Sequence, residues 1–151
     1  MKDFKFPLES VLKYRDMLLE DAKKAYAAAL GEVVRKEREI AALKTHRGEV
    51  NAEFNGKKAR GLIIPEAAHY TLYLDEVDDK IDEETENLHR LEVIAREKQQ
   101  LLIEANRDYR AIEILRENAQ TEYDAMVRKA EEKMIDEFVA NAMSAAREQT
   151  A

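Results

Sequence analysis

The run Leu19-Glu20-Asp21-Ala22-Lys23-Lys24-Ala25-Tyr26-Ala27-Ala28-Ala29-Leu30-Gly31-Glu32-Val33 decides the fold. Within it Leu19, Ala22, Tyr26, Ala29 and Val33 recur at steps of three and four. That is the spacing of residues sharing one face of an α-helix. Extended outward, the ladder reads Leu8, Leu12, Arg15, Leu19, Ala22, Tyr26, Ala29, Val33, Lys36, Ile40, Leu43, Arg47, Val50, Phe54. A second ladder runs Ala67, Tyr70, Leu74, Val77, Ile81, Glu84, Leu88, Leu91, Ala95, Lys98, Leu102, Ala105, Tyr109, Ile112. A heptad spacing held this long is a coiled-coil seam rather than a locally amphipathic helix.

The punctuation between the ladders folds the chain back. The two prolines, Pro7 and Pro65, each precede an early acid, Glu9 and Glu66, and each suits the first turn of a helix. Gly56 and Gly61 flank the basic stretch Lys57-Lys58-Ala59-Arg60 just before the second start. Beyond Pro65 there is no glycine and no proline to stop a helix. The expected fold is all-α: a long antiparallel two-helix coiled-coil hairpin with a C-terminal helical overhang. It is read as a single unit over residues 1–151, with a helix over 7–55, a turn over 56–64, a helix over 65–147 and an overhang from 113. At about 1.5 Å per residue the hairpin would be roughly 70 Å long.

Matching the ladders sets a register in which partner numbers sum to 120 or 121. It places Lys36 against Glu84 inside the seam, Tyr26 against Ala95, Leu12 against Tyr109 and Phe54 against Ala67. Outside the seam it brings Lys44 near Glu76 and Arg38 near Asp82. The run Asp75 to Glu86 holds eight acids and one lysine, opposite bases of the first helix. Such pairs add little individually but disfavour other registers.

Composition narrows the function. The chain has 151 residues, 45% hydrophobic and 38% charged, with four Gly, two Pro and no Cys. Without cysteine there is no disulfide, thiolate metal site or Cys nucleophile. A net charge of −7 argues against nucleic acid, whose phosphates require concentrated positive charge. The apolar runs are too short to span a membrane, and Met1 to Ser10 lacks the apolar core of a signal peptide. Two helices enclose no substrate-sized pocket, so an enzyme is not expected. Glu66–His69 and Glu86–His89 have the spacing of a carboxylate metal motif, but they lie on one helix about 30 Å apart and lack inward glutamates on a partner helix. No metal and no cofactor is expected. His46 and the acidic run read as solvated surface.

Two stretches remain unexplained by the seam. After Ile112 the first helix is used up, yet apolar positions continue at Leu115, Ala119, Tyr123, Met126, Val127, Ala130, Met134, Ile135, Phe138, Val139, Ala142 and Met143. This stripe has no partner within the expected hairpin. It is either a self-associating or frayed tail, or a helix that docks into another protein. Phe4 and Phe6 at the same end either staple the helix start or join that surface. At the other end, Leu62-Ile63-Ile64 is an apolar triplet in a basic turn, either capping the seam or offered to a partner.

The opening Phe4-Lys5-Phe6-Pro7-Leu8-Glu9-Ser10-Val11-Leu12-Lys13-Tyr14-Arg15 resembles the start of the FliJ family, whose members open with a Phe-basic-Phe-x-Leu-x-x-Leu-x-x-Arg type of pattern. The length, the charged hairpin and the tyrosine-bearing Tyr70-Thr71-Leu72-Tyr73-Leu74 resemble it too. The resemblance implies a non-enzymatic stalk and coupling protein of flagellar protein export, cytoplasmic and peripheral at the inner membrane through its partners. Those partners would be the hexameric export ATPase, the cytoplasmic domain of the export gate, and export chaperones. By analogy with a rotary-ATPase stalk, both termini would dock in the ATPase, through Phe4, Phe6, Leu8, Tyr14, Tyr123, Met126, Met134 and Phe138. The gate and tip surface would be Leu62, Ile63, Ile64, Tyr70, Tyr73 and Val77. Lys80 and Glu84, one and two turns further on, are charged and depart from the family's gate face. The competing reading is a free coiled-coil chaperone or scaffold.

Overall fold

The computed structural model describes residues 3–150. They form two helices and no strand: α1, Glu9–Arg60, and α2, Ile64–Thr150. The described residues cluster into two compact units, one of residues 19–105 and the other of residues 3–18 with 106–150, where the sequence reading has one.

In the first unit α1 and α2 pack antiparallel along the ladder. Leu19, Ile40, Phe54, Leu74, Val77, Ile81 and Ala95 are buried, and Ile40, Val77 and Ile81 form a cluster against which Leu43 and Leu88 pack. Every ladder residue in this unit is buried or half-buried. No described side chain is fully enclosed, as expected when two helices share one seam and leave their other faces wet. Stability therefore rests on many partly buried contacts rather than on a dense centre.

The seam contains the expected ionic layer. Lys36 Nζ donates to Glu84 Oε2 at 2.5 Å, while Lys36 also reaches Glu39 at 2.8 Å and Lys80 reaches Glu84 Oε1 at 3.1 Å. Glu84 is only 8% exposed. A carboxylate at that depth would be costly alone, but two lysines satisfy it. Hydrogen bonds from Lys36 and then Lys80 hold the Glu84 carboxyl below its ordinary value. The flanking pairs differ from the sequence reading. Among the described residues Lys44 does not pair with Glu76, nor Arg38 with Asp82. Instead Arg47 forks onto Asp78, Nε to Oδ1 at 2.5 Å and Nη2 to Oδ2 at 3.2 Å. Arg47 occupies a seam position, and its long planar group reaches sideways out of the seam to a carboxylate it can grip with two bonds.

The turn is shorter than expected. α1 continues through Gly56 to Arg60, and only Gly61, Leu62 and Ile63 lie outside helix. One helical glycine costs about 1 kcal/mol, which an otherwise continuous helix absorbs. Gly61 takes a φ of 96°, a left-handed conformation that ends a helix and that only glycine adopts without strain. α2 restarts at Ile64 with Pro65 in its first turn, and Ala67 N–H donates to Ile63 C=O at 3.1 Å.

In the second unit residues 3–6 carry no regular structure and α1 starts at Glu9, whose N–H donates to Phe6 C=O at 3.2 Å. Leu8 lies in this entering turn and is exposed. Leu12 and Arg15 are half-buried with Tyr109 and Ile112, and Arg15 pairs with Asp108 at 3.4 Å. Glu9, at the positive end of α1, pairs with Arg116 at 3.1 Å.

Candidate functional site

Two surfaces stand out, one within each unit. The first is the tip. Phe54 stacks on Tyr70 with ring centroids 5.0 Å apart and planes 25° from parallel, one turn further along α2 than the expected partner Ala67. Lys58 lies 3.8 Å over the Phe54 ring and Lys57 5.2 Å over the Tyr70 ring. The Tyr70 hydroxyl donates to Glu53 at 3.1 Å. Lys57 and Lys58, in the last turn of α1, thus close the end of an aromatic stack and complement the negative end of that helix. The Phe54 to Lys58 spacing of four is the sequence signal for this.

Among the residues assigned to the tip, Ile63 and Ile64 project into solvent, Ile64 at 84% exposure, and Leu62 is half-buried. Tyr70 is held in the stack. Tyr73 is at the surface, where its hydroxyl meets His46 Nε2 at 2.6 Å and its ring meets the His46 ring edge-on at 5.9 Å. His46, read from sequence as plain surface, therefore positions Tyr73. Val77 is 7% exposed and belongs to the core cluster with Ile40 and Ile81. Its side chain fills the seam, unlike the exposed Tyr73 beside it on the expected gate surface.

The second surface is the C-terminal part of α2. Every residue from 128 to 149 is exposed. Met134 at 66% and Phe138 at 74% exposure, with Ile135, Val139 and Met143, make a long apolar face with nothing over it among the described residues. Tyr123, Val127, Met134 and Phe138 are spaced four, seven and four apart and so share one side of the helix. The stripe is not bare from 113, however. Phe4 lies against Tyr123, ring centroids 5.5 Å apart and tilted by 52°. Asp3, Phe4 and Lys5 line an open cleft with Ala119, Glu122, Tyr123 and Met126. Ala119 and Tyr123 are half-buried there, Met126 is 68% exposed, and every residue from 128 to 149 is exposed. Residues 3–6, too short to read as an element, precede α1 and lie along α2. Phe6 is half-buried, whereas Tyr14 is exposed with the Arg15 guanidinium 6.0 Å from its ring.

Among the described residues no group of three His, Asp or Glu side chains is placed to hold a metal ion. His89 Nδ1 lies 3.6 Å from a carboxylate oxygen of Glu92. No helix among the described residues is long and apolar enough to cross a membrane.

Residues 4–148 match the protein-family model described as flagellar FliJ protein. No curated protein and no solved structure matches the chain.

Proposed function

The chain belongs to the FliJ family, which makes it a component of the flagellar export apparatus, and we propose that within that apparatus it is a non-enzymatic stalk and coupling protein. The single observation that carries this reading is the exposed apolar face of α2 from Met126 to Met143. A face of this length is costly to leave in water and suits insertion into a groove of another protein. Methionine and phenylalanine side chains on it adapt to an irregular apolar lining.

On this reading the face docks into the hexameric export ATPase. Met126, Met134 and Phe138 make the contact, and Phe4 and Tyr123 lie at its inner end. The chain favours the closed ring because it binds the assembled subunits more tightly than separate ones; a ligand shifts a population only through such differential affinity. The exposed face around Tyr73 and Leu72 contacts the cytoplasmic domain of the export gate, and export chaperones dock elsewhere on the hairpin. The protein works at the cytoplasmic side of the inner membrane, held there by its partners.

The test compares the full chain with one ending at Val127, which keeps the Phe4–Tyr123 and Glu9–Arg116 contacts and, of the uncovered face, only Met126. ATPase rate and ring assembly are measured with the purified export ATPase. The full chain is expected to stimulate both and the shortened chain to lose most of the effect. Equal stimulation by the two chains would show that the C-terminal face is not the docking surface.

A further inference from the structure

We propose that residues 3–8 form a detachable cover on α2, so that the docking face exists in a short form starting near 128 and a long form reaching back to Ala119. The proposal rests on the reading of α2 as the ATPase-docking element and adds a control on that same surface.

Three observations carry it. The residues under the cover continue the face that is exposed beyond it: Tyr123 and Val127 lie on the same side of α2 as Met134 and Phe138. Exposure rises past the cover: Ala119 and Tyr123, which line the cleft with residues 3–5, are half-buried, Met126 at its edge is 68% exposed, and every residue from 128 to 149 is exposed. The attachment is made by side chains. Among the described residues no backbone hydrogen bond joins residues 3–8 to α2, and the contacts include the Phe4–Tyr123 ring pair and, at the foot of the cover, the solvent-exposed Glu9–Arg116 ion pair. A segment without regular structure and without backbone hydrogen bonds to its neighbour opens readily. A partner that lays an apolar groove along Met134 and Phe138 gains further contact by displacing Phe4 and taking Tyr123 for itself. Closed, the cover lowers the apparent affinity by the fraction of chains in which the long face is hidden.

Affinity of the full chain for the purified export ATPase is measured for the wild type, for Phe4→Ala, and for a closed form made from Lys5→Cys and Glu122→Cys joined by a short bis-maleimide. The native chain has no cysteine, so the cross-link forms only at the chosen pair. Phe4→Ala is expected to bind about two- to tenfold more tightly, the ratio that one aromatic pair sustains, and the cross-linked chain more weakly than its unlinked parent. A nitroxide on Lys5→Cys alone is expected to become more mobile when the ATPase is added. Binding by wild type with Phe4→Ala equal or weaker, or a nitroxide that becomes immobile in the complex, overturns the cover and makes residues 3–8 part of the interface. If neither wild type nor Phe4→Ala binds the ATPase, the docking reading fails and the cover's regulatory role fails with it.

Discussion

Replacing Ile81 with alanine tests the seam at its centre. Ile81 is 9% exposed and packs with Ile40 and Val77, flanked by Leu43 and Leu88. The substitution removes three carbons. At about 0.8 kcal/mol per buried carbon, that loses roughly 2.4 kcal/mol of transfer free energy, trimmed to about 2.2 by the residual exposure. The cavity contribution is small here, because a seam between two helices is open at its sides and can close or admit water. The expected loss is therefore about 2–3 kcal/mol, near the lower end of the range for large core truncations. Urea unfolding followed by circular dichroism reads it as a midpoint lowered by about 1 M for a slope near 2 kcal/mol per molar. Ile64→Ala is the matched control: the same chemistry at 84% exposure, where about 0.5 kcal/mol or less is at stake. Equal midpoints for the two variants would refute the seam as the source of stability.

Other outcomes follow from particular contacts. Glu84, held below its ordinary value of 4.5 chiefly by Lys36, contributes stability that is present above that value and is lost as pH falls through the lower folded value; Glu84→Gln should flatten the acid limb of a stability-against-pH curve. Lys36 is raised above 10.5 by Glu39 and Glu84, so its contribution is present below 10.5 and fades as pH climbs through the higher folded value, which an alkaline titration of the unfolding midpoint reads. Gly31→Ala and Gly48→Ala, where an added Cβ meets nothing within 4 Å, should each stabilise α1 by about 0.5–1 kcal/mol, whereas Gly61→Ala, at a φ of 96°, should destabilise by about 1–2 kcal/mol; thermal melts of the three separate the cases. Met134→Ser with Phe138→Ser should leave the unfolding midpoint unchanged and abolish stimulation of the export ATPase, because both side chains are exposed and make no core.

The seam was readable because a heptad repeat is a one-dimensional signal. Once the ladder and the fold-back point are known, Lys36 opposite Glu84 follows by counting. Leu8 is the ladder residue that ends up exposed, since α1 begins at Glu9 and Leu8 lies in the turn leading into it. The turn itself was less readable. Gly56 and Gly61 are equally able to break a helix, and only the backbone shows that Gly61 takes the left-handed conformation. Arg47 went to Asp78 because side-chain reach, not ladder phase, selects among several nearby carboxylates. The two surfaces were visible as apolar residues left over from the seam. What covers them was not, because the Phe4–Tyr123 contact falls outside any periodicity.

The order of contacts along the hairpin carries a kinetic consequence. Phe54 and Tyr70 are close in sequence, Lys36 and Glu84 are 48 residues apart, Arg15 and Asp108 are 93 apart, and Phe4 and Tyr123 lie near opposite ends of the chain. Making the last contact first would close the largest loop with nothing yet gained, whereas starting at Gly61 lets each pair shorten the loop for the next. The chain should therefore zip from the turn toward its ends, with amide protection in pulsed hydrogen exchange appearing around Ile40 and Ile81 before Leu12 and Ile112. The same order run backwards makes the terminal contacts the first to open. The face proposed to dock would then sit where the molecule exchanges its own contacts for a partner's at the smallest loss of folded structure.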